Sequence, residues 1–192
     1  MAYHIYDTEA VVLGAYESGE SNRIIDVLTE ELGRVRAIAR GVRKEESKLR
    51  FHTQPGMVSR LALVRGKEYW RITGAERGTT FSFSPDSQVC AYRILSLIRK
   101  LVGVDNPTEA LFGICKESMC ALGGTEDTSR IDTIEILAVL QILHSLGYIG
   151  DSSALRGLLS LSLMGQSELP KLGTERSTVI SAINEALKET GI

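Results

Sequence analysis

Apolar positions along this chain change their spacing once, from steps of two to steps of three and four, and that change divides the chain in two. Up to about residue 80 the pattern is strand-like. Residues 10–16 form a β-rich run that ends in the turn-prone Glu17-Ser-Gly-Glu20. Residues 23–29 follow, then a turn at Glu30-Glu-Leu-Gly33 and a third segment at 34–40. Residues 57–64 and 69–75 supply two more strands, joined by Arg65-Gly-Lys-Glu68. Five short strands so close together predict a small closed barrel, because an open sheet would leave edges to be covered. The third strand says most. Side chains alternate across a strand, so Val35, Ala37 and Ala39 share one face and Arg34, Arg36, Ile38 and Arg40 the other. One face can enter a core of small residues while the other displays a row of guanidinium groups. Gly41 closes the strand, and residues 42–56 form a polar loop rich in basic groups.

Beyond residue 80 the spacing becomes helical. Ser84 before Pro85 puts a capping residue ahead of a proline at the first helical position. Val89, Tyr92, Leu95, Ile98 and Val102 then recur at three- and four-residue steps. Asn106-Pro107 repeats the start signal for a second helix that runs to Gly123-Gly124. A third helix over 129–146 is apolar on more than one face, which places it at the centre of a bundle. Residues 153–163 and 174–190 predict two further helices, the last with Val179, Ile180, Ile183 and Leu187 on one side. The chain therefore reads as a multidomain α+β protein: a β-barrel domain over 1–80 and an all-α domain over 84–192. It contains neither an internal repeat nor a low-complexity segment.

Charge sharpens this division. The 192 residues carry a net −2, yet residues 34–77 hold twelve Lys/Arg against four acids, a net +8. Residues 81–192 hold nine basic and thirteen acidic side chains, a net −4. A basic block beside an acidic half points to a polyanion partner for the first part and to something else for the second. Solvated surface charge is the plainer alternative for the same composition. With no run of 18 apolar residues, no helix is expected to cross a membrane. Residues 1–10, with His4, Asp7 and Glu9, lack the basic flank and apolar stretch of a secretory signal, so a cytoplasmic location is expected. Cys90, Cys115 and Cys120 are odd in number and read as reduced, buried thiols.

The residues offer no convergent catalytic constellation. Cys115 and Cys120, five apart on a helix, lie about 140° apart around its axis and cannot share one zinc ion. His4, His52 and His144 fall in separate elements, and no Gly-Lys-Ser/Thr phosphate loop follows a strand. The expectation is a protein that is not an enzyme, with no catalytic residue, no cofactor and no metal. Single strands of nucleic acid are held by a positive groove that tracks the backbone and by aromatic faces on which bases stack. Arg34, Arg36 and Arg40 are candidates for the groove. Arg43, Lys44, Lys48 and Arg50 would extend it along the loop, and Lys67 would add to it at the hairpin tip. Tyr16, Phe51, Tyr69 and Trp70 are stacking candidates, although core packing is the commoner fate of such residues. Tyr69 and Trp70 point opposite ways, and Trp70 is the one expected inside. An alternative assignment is a protein-interaction scaffold whose barrel binds a partner chain and no nucleic acid.

Several stretches, taken in order, resemble one family. Thr8-Glu-Ala-Val-Val-Leu13, Gly19-Glu-Ser-Asn-Arg-Ile24, Leu28-Thr-Glu-Glu-Leu-Gly-Arg34 and Ala39-Arg-Gly41 are similar to the RecO family of bacterial recombination mediators. Gln54-Pro55, Leu63-Val-Arg-Gly66 and Leu146-Gly-Tyr148 add to the likeness, which is dense over residues 5–77 and thin beyond. The resemblance implies an N-terminal OB-fold followed by a helical domain. It implies binding of single- and double-stranded DNA, annealing of complementary strands, and help in loading RecA onto strands coated by single-strand-binding protein, with RecR as a partner. It also implies a nucleoid-associated protein and a pocket for the acidic C-terminal tail of the single-strand-binding protein, for which Arg93, Arg99 and Lys100 are candidates. One departure stands out. Many relatives carry a cysteine-rich zinc module after the Leu-Gly-Tyr stretch, whereas Ile149-Gly-Asp-Ser-Ser153 follows here and no cysteine occurs after Cys120.

Overall fold

Alternation of small and branched side chains in the first part of the chain builds a barrel with a narrow interior. The computed structural model describes residues 4–76, 78–79, 81–105, 109–164, 172–173 and 175–191. Its strands are β1 (Ile5–Ser18), β2 (Asn22–Thr29), β3 (Gly33–Ala39), β4 (Val58–Val64) and β5 (Trp70–Glu76). They close in the order β1-β2-β3-β5-β4, with β1 returning to β4. Every pairing is antiparallel except β3 with β5, which is parallel. This five-stranded closed barrel is the OB-fold arrangement. The long β1 serves both neighbours: residues from Ile5 to Val11 pair with β4, and those from Ala10 to Ser18 pair with β2. A register shift between Val12 and Gly14 marks the irregularity in the second ladder.

The interior is filled by Ala10, Val12, Ile25, Val27, Val35, Ala37, Ala39, Val42, Leu61, Leu63, Trp70 and Ile72. Alanines at three of these positions let the strands approach closely enough to close the cylinder. Gly33, with φ +68°, makes the tight return from β2 into β3 that a side chain would resist. The loop over 40–57 is fastened rather than loose. Its first turn donates from the Gly41 and Arg43 N–H groups to the Asn22 side chain and the Ser21 carbonyl. Its far end exchanges bonds with Val12 through Gly56 and Met57.

The second part holds α1 (Pro85–Leu101), α2 (Glu109–Gly123), α3 (Thr128–Ser145), the short α4 (Arg156–Leu159) and α5 (Glu175–Thr190). Ser84 Oγ accepts from the Ser87 N–H at 3.2 Å and starts α1 as its position predicts. The buried stripe of α1 differs from expectation. Cys90, Ala91, Ile94, Leu95 and Ile98 face inward, while Val89 and Tyr92 are 50% and 48% exposed. Spacing of the bulky residues put the stripe one residue too early, because the helix packs on its smaller Cys90–Ala91 edge. The predicted start of α2 at Asn106-Pro107 lies outside the described residues, as does Thr174 ahead of α5. On α3, Asp127 caps the first turn, and apolar residues from Ile131 to Leu143 are buried around the axis. It packs on α1, α4 and α5, as the centre of a bundle must. The helix expected over 153–163 is only the single turn of α4. Gly157 within it and serines on both sides favour turns over helix.

Two compact units result: residues Met1–Thr80 with Val102–Phe112, and Phe81–Leu101 with Gly113–Ile192. The helical domain drawn over 84–192 thus included a stretch, 102–112, that groups with the barrel.

Candidate nucleic-acid interface

The outer face of β3 does not carry the uninterrupted cationic row that alternation predicts. Asp26, in the middle of the apolar run of β2, stands opposite Arg36 in the ladder. Its carboxylate is buried and is gripped by Arg34, with Nε to Oδ1 at 2.9 Å and Nη2 to Oδ2 at 2.6 Å. The Arg34 guanidinium also donates to the Val102 carbonyl, and the Asp105 N–H donates back to the Arg34 carbonyl at 2.8 Å. Only 6% of Arg34 is accessible, so its place in the DNA-binding groove is corrected: it is a structural residue. The physical reason is electrostatic. A carboxylate buried on a barrel wall needs a charged, bidentate partner, and Arg34 is the guanidinium that reaches it.

The remaining cations divide by position. Arg36 is half exposed and sits 3.9 Å from the Asp26 carboxylate, while Arg40 is exposed at the end of β3. In the loop, Lys44, Lys48 and Arg50 are exposed, and Arg43 is engaged with Glu17 at 3.4 Å and with the Gly19 carbonyl. Lys67 is exposed at the β4–β5 hairpin tip and shares a cleft of about 450 Å³ with Arg36. Arg65, Tyr69, Trp70, Val104 and Asp105 also line this cleft. Its shape depends on the hairpin turning tightly, since a Cβ at Gly66 would lie 2.2 Å from the Tyr69 carbonyl oxygen. Arg65 is held with its guanidinium carbon 5.7 Å from the centre of the Trp70 ring, a cation–π arrangement.

The aromatic residues separate as the strand geometry requires. Trp70 is 8% exposed and faces the core, where it meets Tyr6 edge-on at 5.2 Å. Tyr69, Tyr16 and above all Phe51, 70% exposed in the basic loop, stay accessible. The residues that sequence reasoning missed are Asp26, Arg65 and Asp105. A lone acid inside the run Ile24-Ile-Asp-Val-Leu28 was the one signal pointing to a buried ion pair.

In the helical unit, Arg93 is paired with Glu135 at 3.3 Å, Arg99 is half-buried and Lys100 is exposed. Arg93 and Lys100, seven residues apart, lie on one face of α1 together with the exposed Val89. Cys115 is fully buried, and burial pushes its thiol up to about 12. Burial, aided by the Glu135 carboxylate, pushes Cys90 up to about 12 as well. No group of three or more His, Cys, Asp or Glu among the described residues is arranged to hold a metal ion. His144 Nε2 lies 3.0 Å from the Asp151 carboxylate. No helix among the described residues is long and apolar enough to cross a membrane.

Comparison with known proteins agrees with this geometry where it is most regular. Residues 1–81 match the family model described as recombination protein O N terminal. Through this domain the chain is similar to the RecO family. The DNA repair protein RecO of Pelotomaculum thermopropionicum is 31% identical over 141 residues, covering 71% of this chain and 55% of that protein. The DNA repair protein RecO of Heliobacterium modesticaldum is 42% identical over 78 residues, 41% of this chain and 29% of its own length. That of Bifidobacterium longum subsp. infantis is 28% identical over 170 residues, 88% of this chain and 64% of the relative. The chain spans about half the length of curated relatives that it matches.

Proposed function

We propose that this chain is a non-catalytic DNA-binding mediator of repair and recombination that acts in the cytoplasm, at the nucleoid. The supporting observation is the set of exposed cations on and around an OB-fold barrel similar to that of the RecO family: Arg36, Arg40, Lys44, Lys48, Arg50 and Lys67. The relatives bear the name DNA repair protein, and it is that role we extend here. Two DNA strands repel each other, and a cationic surface that holds both lowers the repulsion while leaving base edges free to pair. In this proposal the barrel takes single- and double-stranded DNA and anneals complementary strands. Together with RecR it helps load RecA onto strands coated by single-strand-binding protein. The acidic tail of the coating protein docks on α1 near Arg93, Arg99 and Lys100.

Changing Arg36, Arg40 and Lys67 together to Ala tests this. The variant should bind a fluorescent oligonucleotide more weakly in gel shifts, and its affinity should fall less steeply with salt, by about 0.7 in log–log slope per lost phosphate contact. An unchanged affinity would rule out this face as the DNA site and favour the scaffold alternative.

A further inference from the structure

We infer that the cleft between the β4–β5 hairpin and the turn at Val104–Asp105 is a pocket for a single nucleotide, and that it prefers a base with an exocyclic amino group over thymine. This rests on the proposal that the barrel binds nucleic acid and adds to it a preference at one position. A mixture of charges in the cleft leads to this assignment. Arg36, Arg65 and Lys67 supply three cations, but Glu68 and Asp105 set two carboxylates beside them. A surface selected only for phosphate would gain nothing from those acids. A ligand with an anionic end and a hydrogen-bond-donating end uses both, and a nucleotide with an amino-bearing base has that form. Phosphate oxygens accept from the cations, the exposed Tyr69 ring offers a stacking face, and a carboxylate accepts from the amino group of cytosine or adenine.

Shape and backbone agree. The volume of about 450 Å³ lies at the small end of ligand pockets, a size for one nucleotide and not for a stacked run. Asp105 is in the left-handed region, with φ +60°, where side chains other than Gly are uncommon. Its N–H is tied to the Arg34 carbonyl, and the Arg34 side chain is tied to Asp26 and to Val102. The buried ion pair thus fixes the turn that sets Asp105 at the wall of the cleft.

Thymine offers the acceptor O4 where cytosine offers the donor N4–H₂. A carboxylate that meets the O4 edge is repelled, and one lost or mismatched contact of this kind discriminates by about tenfold. The chain's only tryptophan, Trp70, lines the cleft, so its fluorescence reports occupancy of this site without a label.

The experiment titrates the full chain at low salt with short oligo-dC and oligo-dT. It follows Trp70 emission together with the anisotropy of a fluorescein on the oligonucleotide, for the native protein and for Asp105→Asn. Asn keeps the left-handed backbone accessible and can both accept and donate. The expected result is about tenfold tighter binding of oligo-dC, a Trp70 response that saturates with it, and a dC-to-dT ratio near one in the variant. Equal binding of both homopolymers by the native protein, a ratio that survives Asp105→Asn, or anisotropy that rises with no change in Trp70 would overturn the pocket and leave DNA binding by the barrel intact. If neither oligonucleotide raises the anisotropy, the proposed function itself falls, and the pocket with it.

Discussion

Arg34 and Arg36 are two residues apart on one strand face, yet substitution separates them sharply. Arg34→Ala leaves the Asp26 carboxylate buried without its bidentate partner. Loss of one member of a buried pair costs about 3–5 kcal/mol, and urea denaturation of the variant should show a deficit of that order. Arg36→Ala removes a half-exposed group whose nearest carboxylate oxygen is 3.9 Å away, so stability should change by less than about 1 kcal/mol while oligonucleotide affinity falls. Replacing Arg34 and Asp26 together by apolar residues of matching volume should be far milder than Arg34→Ala alone, because no charge is then stranded. The thiols give a second contrast at this scale. Reaction with a disulfide reagent requires thiolate, and with a pKa pushed up to about 12 only about one in ten thousand Cys115 or Cys90 side chains is ionised at pH 8. The partly exposed Cys120 should therefore label first in the native protein. Any labelling of Cys90 or Cys115 without unfolding should speed up about tenfold per pH unit as pH rises from 8 to 10, because each unit multiplies the thiolate fraction.

The elements differ in what they tolerate. Ile134 is fully buried on the central helix α3, and Ile134→Ala should cost about 2–5 kcal/mol in a denaturant titration. Val89 on α1 is half exposed, and Val89→Ala should stay within about 0.5 kcal/mol. That difference was only partly legible beforehand. The all-round apolar pattern of α3 announces a central helix in any context. On α1, two overlapping stripes share Leu95 and Ile98, and only packing decides between Val89–Tyr92 and Cys90–Ala91. The barrel strands were legible because period-two alternation tolerates no slip: moving Val35, Ala37 and Ala39 by one residue would bury Arg36 and expose the core. Burial of Arg34 was not legible in the same way. It depends on a carboxylate eight residues earlier and on a carbonyl 68 residues later, and no local pattern encodes either. The cleft was hidden for the same reason, since β3, the β4–β5 hairpin and the Val104–Asp105 turn meet only once the chain has folded.

For the molecule as a whole, the surplus of positive charge on residues 34–77 predicts that DNA affinity is governed by ionic strength more than by base sequence. Where the chain is cut will matter too. A fragment ending at residue 80 keeps all five strands but removes Val102 and Asp105, which bond to the side chain and backbone of Arg34. Its thermal midpoint should lie below that of the barrel transition in the full chain, despite the intact sheet. These bonds also bear on how the protein comes to be folded during its synthesis. The five strands are complete in sequence at Glu76, but the residues that seal Arg34 follow only after the 17 residues of α1. On the ribosome, a barrel closed at that point would still lack both of these bonds to Arg34. That lack lasts until a helix from the other unit has been synthesised. Completion of the first-made half is thereby timed by the emergence of the second.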